Sequence, residues 1–321
     1  TDYKKNNMNI SEIRSKHKLL KRWDYTWIPL SKGYTDKTLY VNVGTLDIKE
    51  KDVPLVMKEK FIGGKGYGLR YLWDATTPQT KWNDPENEII ISSGPVGGIT
   101  QYSGTGKSLV VTVSPQTDSI MDSNVGGFFG PFLKFSGFDA LELQGKSKED
   151  VIVFINGVDH YIEIFEAPAE AMDSHLIVEQ LTEMFANDDA DKKNIGVVSS
   201  GSAAEHSLIG MLNFSFYDPK RKKVRMKQAG RGGIGTVFRD KKIKALVCKI
   251  PGVKGNLNNV VDLEAIMERG RRFNKEMREL DDKQCKMRQI GTAHLMEIMD
   301  DHDLLPTHNY KFGSHKDSPK I

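Results

Sequence analysis

MDSNVGGFFGPFLKFSGFDALELQGK, residues 121–146, is the stretch on which the reading of this chain turns. It opens on a glycine cluster, SNVGGFFG (123–130), and closes on ALELQG (140–145), a short apolar-rich run ended by glycine, the form of a strand. The same form repeats on both sides. TLYVNV (38–43) alternates apolar and polar residues as a half-buried strand does. EIIISSG (88–94), KSLVVTVSP (107–115), DVIVFING (150–157), HYIEIFEA (160–167), NIGVVSSG (194–201), HSLIGMLNFSFYD (206–218) and KIKALVCKI (242–250) continue it.

Helices interrupt these strands. PLVMKEKFIGGKGYGLRYLWD (54–74) reads as two short helices joined at Gly63–Gly64, and SHLIVEQLTEMFAND (174–188) places Leu176, Ile177, Leu181, Met184 and Phe185 on one helical face. After residue 253 the character changes. DLEAIMERGRRFNKEMREL (262–280) is a charged helix with Asp262 at its N-cap, and GTAHLMEIMDDHDLL (291–305) is a helix capped by Thr292 and stopped by Pro306. The expected fold is α+β: a polar leader or arm at 1–35, a β-rich domain at 36–252, and the first helices of an incomplete helical domain at 253–321. Within the leader, Lys18–Arg22 reads as a short helical turn.

Composition narrows the function classes. The 321 residues carry 46 Lys+Arg and 43 Asp+Glu, a formal charge of +3, which argues against a dedicated nucleic-acid binder. Two cysteines, Cys248 and Cys285, exclude a disulfide scaffold, and without a CxxC spacing this chain ligates no iron–sulfur cluster by itself. No HExxH motif or close Cys/His set offers a zinc site. No apolar run reaches the roughly 18 residues of a membrane span, and the polar start lacks a signal-peptide core. These features predict a cytoplasmic protein, with Cys248 as a core residue of a buried strand.

Four glycine clusters stand out: IGGKGYG (62–68), SGTGKS (103–108), SNVGGFFG (123–130) and QAGRGGIG (228–235). Glycine lets backbone N–H groups approach an anion closely. Turn punctuation explains any single cluster equally well. SGTGKS is not a P-loop, because Gln101 stands where the motif needs glycine. Gly230, Gly232 and Gly235 match G-x-G-x-x-G, but KRKKVRMK precedes them and a β-like segment is expected to follow, so a Rossmann site is rejected. What remains is a set suited to phosphates or a polar heterocycle: Lys107, Asn124, Lys227, Gln228 and Arg231 beside glycines. An amide or backbone carbonyl among them can hold Mg²⁺ against a pyrophosphate. KRKKVRMK (220–227) also reads simply as a solvated hairpin tip.

In this order, the segments 92–115, 121–146, QAGRGGIGTVFRDKKIKALVCK (228–249) and GTAHLMEIMDDHDLLPTHNYKFG (291–313) resemble the aldehyde:ferredoxin oxidoreductase family of tungsten-bispterin enzymes. The resemblance spans about 37–313. It implies a β-rich domain cradling two pterins that are bridged through their phosphates by Mg²⁺ and hold tungsten, with molybdenum the alternative metal. The implied cofactor contacts are Lys107, Asn124, Gly126, Lys227, Gln228, Gly230 and Arg231. Asn124 and the backbone carbonyl of Gln228 are the implied Mg²⁺ contacts. Lys107 and Lys227 stand where the family commonly has arginine, Gln228 replaces a small residue, and 200–220 departs from the usual pattern.

The family's cluster cysteines would begin shortly after residue 313, so a [4Fe–4S] cluster is expected from a C-terminal half or a partner subunit. The chain is then a split subunit, a truncation, or a non-catalytic paralogue that keeps the fold as a scaffold in a larger redox complex. The implied reaction oxidises a small aldehyde to a carboxylic acid and passes electrons through the cluster to ferredoxin or another carrier. Homo- or hetero-oligomers are compatible with the resemblance, which implies no nucleic acid and no membrane partner.

Overall fold

The computed structural model describes residues 10–168, 173–279 and 282–320, so 1–9 of the leader and the end of the helix expected at 262–280 lie outside the described residues. The fold is α+β, as expected from the sequence, with two mixed sheets. Among the described residues thirteen strands run in chain order: β1 (Lys18–Asp24), β2 (Lys37–Asn42), β3 (Asp47–Asp52), β4 (Ile89–Ser92), β5 (Ser108–Val113), β6 (Ile120–Val125), β7 (Ala140–Gln144), β8 (Val151–Asn156), β9 (Tyr161–Glu166), β10 (Ile195–Ser199), β11 (Leu212–Asp218), β12 (Lys223–Ala229) and β13 (Ile243–Lys249). One sheet has the order β3-β2-β7-β4-β5-β6 and the other β1-β9-β8-β13-β10-β11-β12. The β2/β7 and β8/β13 pairs are parallel; the other pairs are antiparallel.

The principal core lies between the sheets. Leu39, Ile91, Val110 and Leu141 from the first sheet meet Val153, Ile164, Phe214 and Leu246 from the second. Helices α4 (Phe129–Phe135) and α6 (Ile234–Asp240) lie within this layer and are buried almost throughout. The outer face of the six-stranded sheet is covered by α3 (Lys65–Ala75) through Leu72. α3 follows α2 (Leu55–Phe61) after the expected break at Gly63–Gly64. The outer face of the seven-stranded sheet is covered by α5 (Ser174–Phe185), whose first turn is capped by the Asp173 carboxylate accepting the His175 and Leu176 N–H groups.

Three expectations are corrected. Residues 18–22 form strand, not a helical turn: β1 pairs with β9, and Leu20 and Trp23 pack on the core. The segment after Gly235 is α6, not β-like, because Ile234, Val237 and Phe238 share one helical face and are fully buried. The hairpin read at 220–227 exists, but its second limb is the seven-residue strand β12. The glycine loop 230–235 therefore does follow a strand and open a helix. It remains outside a Rossmann unit, because β12 is a terminal strand antiparallel to β11 while β13 lies between β8 and β10.

Buried charges tie the layers. Lys134, within α4, donates to the Gly94, Pro95 and Gly97 carbonyls at 2.7, 3.0 and 3.2 Å and to Asn258 Oδ1 at 3.1 Å. Burial pulls its ammonium down to about 8 against the opposing pull of Asp139. Glu88 and Glu142 are buried carboxylates on the six-stranded sheet, each with one oxygen lacking a hydrogen bond among the described residues, while Lys51 Nζ lies 2.8 Å from Glu142 Oε2. Burial, then the neighbouring Glu142 charge, push Glu88 up to about 8.

A carboxyl whose folded-state pKa exceeds its unfolded one stabilises the fold at low pH and loses that contribution as pH rises through the folded value. Glu88→Gln is therefore expected to raise the melting temperature, with a gain over the native protein that grows from pH 5 to pH 8. A gain independent of pH would contradict the raised titration of Glu88.

The first compact unit comprises the chain up to Thr100 together with Gly104–Val261. The second comprises Gln101–Ser103 and Asp262–Ile321. In it, α7 (Leu263–Glu279) starts where Asp262 Oδ1 accepts the Ala265 N–H at 2.9 Å, and the Phe273 ring stacks on Tyr102 with centroids 5.6 Å apart. α8 (Asp282–Ile290) follows. The helix expected at 291–305 is a 3₁₀ turn at Gly291–Leu295 leading into α9 (Met296–Asp301). No helix among the described residues is long and apolar enough to cross a membrane.

Candidate functional site

The site is built where the terminal strands of the two sheets, β6 and β12, approach one another. In the β5/β6 ladder Ser108 faces Val125 and Leu109 faces Asn124. Lys107 directly precedes Ser108 and Gly126 directly follows Val125, so the two residues lie side by side at the end of the ladder. Cross-strand partners and residues two apart share a sheet face. Lys107, Leu109, Asn124 and Gly126 therefore occupy one face.

Lys227 of β12 reaches the same face, because a Cβ on Gly126 would lie 3.3 Å from Lys227 Cγ. The next glycine fixes the corner: Gly127 has φ +90°, and a Cβ there would meet the Phe214 Cβ and carbonyl oxygen of β11 at 3.1 Å. A side chain at 127 would push the two sheets apart.

This face is open because α3 ends short of it. α3 covers Val111, but its N-terminus at Gly64 lies over Leu109, with a Gly64 Cβ 3.8 Å from Leu109 Cδ2. The Gly64 N–H donates to the Ser93 carbonyl at 3.2 Å, and a Cβ built on Gly94 would meet no atom within 4 Å. Lys134 fixes this wall from behind by binding the Gly94 carbonyl. Lys65, the first residue of α3, pairs with Asp122 at 2.6 Å, two residues before Asn124 on the same face. The glycine cluster at 62–68 therefore has a place in the site that its residues did not reveal.

The structure thus gathers Lys107, Asn124, Gly126 and Lys227. All three side chains are exposed and make no hydrogen bond or ion pair with another described residue. Gly230 and Arg231 follow β12 at its margin. The Arg231 N–H donates to Ser123 Oγ at 3.2 Å, on the opposite face of β6 from Asn124, and its guanidinium is exposed without a partner among the described residues. The side chain of Gln228 points elsewhere. With Asn213, Ser174, His175 and Met226 it lines a separate cleft of about 710 Å³ on the α5 side of the sheet.

Chemically, the gathered set offers two point charges for phosphate, one amide oxygen for a hard cation, and glycine backbone where a side chain would block access. A flat, phosphate-bearing cofactor fits this set, because its cations are unspent on protein carboxylates and its glycines leave the face clear. Cys248 is fully buried in β13 with its thiol 3.3 Å from Ser136 Oγ, and burial pushes the thiol up to about 12. It is a core residue, as expected. Among the described residues no group of three or more His, Cys, Asp or Glu side chains could hold a metal ion.

Comparison with known proteins places these elements. Residues 38–250 match the family described as aldehyde ferredoxin oxidoreductase, N-terminal domain. The chain is 32% identical over 287 residues to a tungsten-containing aldehyde ferredoxin oxidoreductase of Pyrococcus horikoshii, an alignment covering 88% of this chain and 44% of that protein. It is 29% identical over 249 residues to the WOR-like subunit of an aliphatic sulfonate oxidoreductase of Pyrococcus furiosus, covering 76% and 38% respectively. Among solved structures it is similar to the active site complex BamBC of benzoyl coenzyme A reductase in complex with 1,5-dienoyl-CoA. That likeness has a TM-score of 0.58 and 29% identity, covering 68% of this chain and 31% of the other. The chain thus spans less than half the length of the curated relatives it matches.

Proposed function

The chain belongs to the aldehyde ferredoxin oxidoreductase family, and we propose that it forms the cofactor-cradling part of a tungsten-dependent oxidoreductase. The observation that carries this reading is the convergence of Lys107, Asn124, Gly126 and Lys227 on one open sheet face, with both cations free of partners among the described residues. A tungsten-bispterin held there supplies two-electron redox chemistry. The roles of this chain are electrostatic and positional. Lys107 and Lys227 neutralise pterin phosphates, with Arg231 at the margin. The Asn124 carboxamide oxygen and the Gln228 backbone carbonyl would hold Mg²⁺, which would supply charge neutralisation to the cofactor phosphates. Gly126 and Gly230 keep the approach clear of side chains.

Lysine in these places gives charge without the paired donors of a guanidinium, so it holds phosphate as a point charge and leaves orientation to the glycine backbone. The proposed reaction converts an aldehyde and water to a carboxylic acid, two protons and two electrons. A [4Fe–4S] cluster held by cysteines of a partner or of a longer chain would supply the exit for these electrons toward ferredoxin.

The likeness to a benzoyl coenzyme A reductase complex favours a second reading, reduction of an aromatic thioester substrate by the same kind of centre. An assay of the complete native assembly separates the two. Aldehyde-dependent reduction of benzyl viologen is expected. Turnover of an aromatic coenzyme A ester with no aldehyde oxidation would replace the first reading by the second. Full metal loading with neither activity would favour the scaffold.

A further inference from the structure

The cations of the cradle do not end at Lys227. The segment 220–227 holds six of them in eight residues: Lys220, Arg221, Lys222, Lys223, Arg225 and Lys227. β12 places Lys223, Arg225 and Lys227 on one face, exposed, while Val224 and Met226 turn to the α5 side and pack there. Successive members of this row lie about 6.6 Å apart, from a rise of about 3.3 Å per residue, so it extends some 13 Å outward from the cradle. The turn at 219–222 carries the remaining three cations into solvent.

Little in the protein neutralises this row. Asp218 pairs with Arg221 at 2.8 Å and with Arg225 at 3.5 Å, and the Asp189 carboxylate is already held by Lys192 at 2.6 Å. The ammonium groups of Lys220, Lys222 and Lys223 have no hydrogen bond or ion pair among the described residues. A charge excess of this kind serves attraction rather than stability, because exposed pairs contribute little to folding while an uncompensated field speeds the arrival of an opposite charge.

We propose that the exposed β11–β12 hairpin is the docking surface for an acidic electron-carrier protein. The proposal rests on the reading above that the assembly releases electrons. A carrier that must arrive, accept and leave needs a small, weak, charge-guided contact, and complementary rim charges set such on-rates. A nucleic acid fits the row less well. The chain's net charge is only +3, and Phe216, the ring beneath the row, lies under Arg225 at 6.0 Å and against Phe128 instead of open for base stacking.

The test titrates an acidic ferredoxin into the complete native assembly and into the Lys220→Glu, Lys222→Glu, Lys223→Glu triple variant, at several salt concentrations. The three positions lie outside the cradle. At low salt the triple variant is expected to bind about tenfold more weakly or worse, with a shallower salt dependence. Its metal content and its rate with benzyl viologen are expected to stay at the native level. The single variant Lys222→Glu should show the same effect in smaller measure, which separates docking from misfolding. Equal ferredoxin affinity and equal salt dependence in both proteins would overturn the proposal. So would a single-stranded oligonucleotide that binds the native hairpin where the acidic ferredoxin does not. A native assembly with no dye activity would instead defeat the enzymatic reading, and the ferredoxin titration would still report on the hairpin.

Discussion

Arg239→Met is expected to destabilise the first compact unit by about 3–5 kcal/mol, the usual cost of stripping one partner from a buried ion pair. The side chain is 1% exposed. Its guanidinium donates to both oxygens of Asp150 at 2.9 and 3.0 Å, to Glu205 Oε1 from Nε at 3.1 Å, and to the Ile243 carbonyl at 3.1 Å. One planar fork therefore joins α6, the approach to β8, the turn at Ser202–His206 and the start of β13. Methionine keeps the volume but leaves the Asp150 and Glu205 carboxylates with only Lys242, 3.7 Å from Glu205 Oε2, in place of the buried guanidinium. Lysine restores one charge but cannot satisfy both partners, so Arg239→Lys should recover only part of the loss. Urea unfolding of the native protein and both variants measures this. A change below about 1 kcal/mol for Arg239→Met would show that solvent already compensates the carboxylates. Because α6 begins directly after the 230–233 loop, the same variant should also loosen the margin of the cradle.

Lys107→Ala combined with Lys227→Ala is expected to remove most of the tungsten from the purified protein while leaving the fold intact. Both side chains are exposed and unpaired among the described residues, so their loss should change stability by no more than about 0.5 kcal/mol. Their effect on a doubly anionic phosphate is of another order. Charge-assisted contacts are roughly twice as strong as neutral ones, and two of them converge here. Arginine at both positions should retain the metal. Alanine at Lys220 and Lys223, on the same hairpin but away from the corner, should also retain it.

How far the residues foretold this arrangement depends on burial. Strands such as β5, β8 and β13 are buried runs of Val, Ile and Leu and were visible as such. β3, DIKEKD, was not: it is the outer strand of its sheet, and only Ile48 is buried. β6, IMDSNV, was missed because Ser123 is buried while Ile120 is exposed, so its burial alternates without an alternation of apolar and polar residues. α4 and α6 are seven residues each, too short for an apolar stripe to stand out in the sequence, and their buried positions include Lys134 and Arg239.

The site was legible as a list of residue types beside glycines, not as a place. Lys107 and Gly126 become neighbours only through the β5/β6 register, and Lys227 joins them only where the two sheets touch at Gly126 and Gly127. The wall formed by Gly64, Lys65 and Gly94 was not legible, because only the fold sets the N-terminus of α3 over Leu109. The side chain of Gln228 shows the limit of such a list. Adjacent to Lys227 in sequence, it faces a different cleft, because alternation along a strand separates neighbours.

The central claim is that this sheet corner holds a tungsten cofactor. Elemental analysis for tungsten, molybdenum and iron tests it most directly, on the natively purified protein and the Lys107→Ala, Lys227→Ala variant side by side, normalised to this chain. About one tungsten per chain in the native protein, lost in the variant, is the predicted result, and about four irons alongside it would indicate a [4Fe–4S] cluster in the same assembly. Native protein without tungsten or molybdenum, or a variant that keeps the full native metal content, would contradict the account.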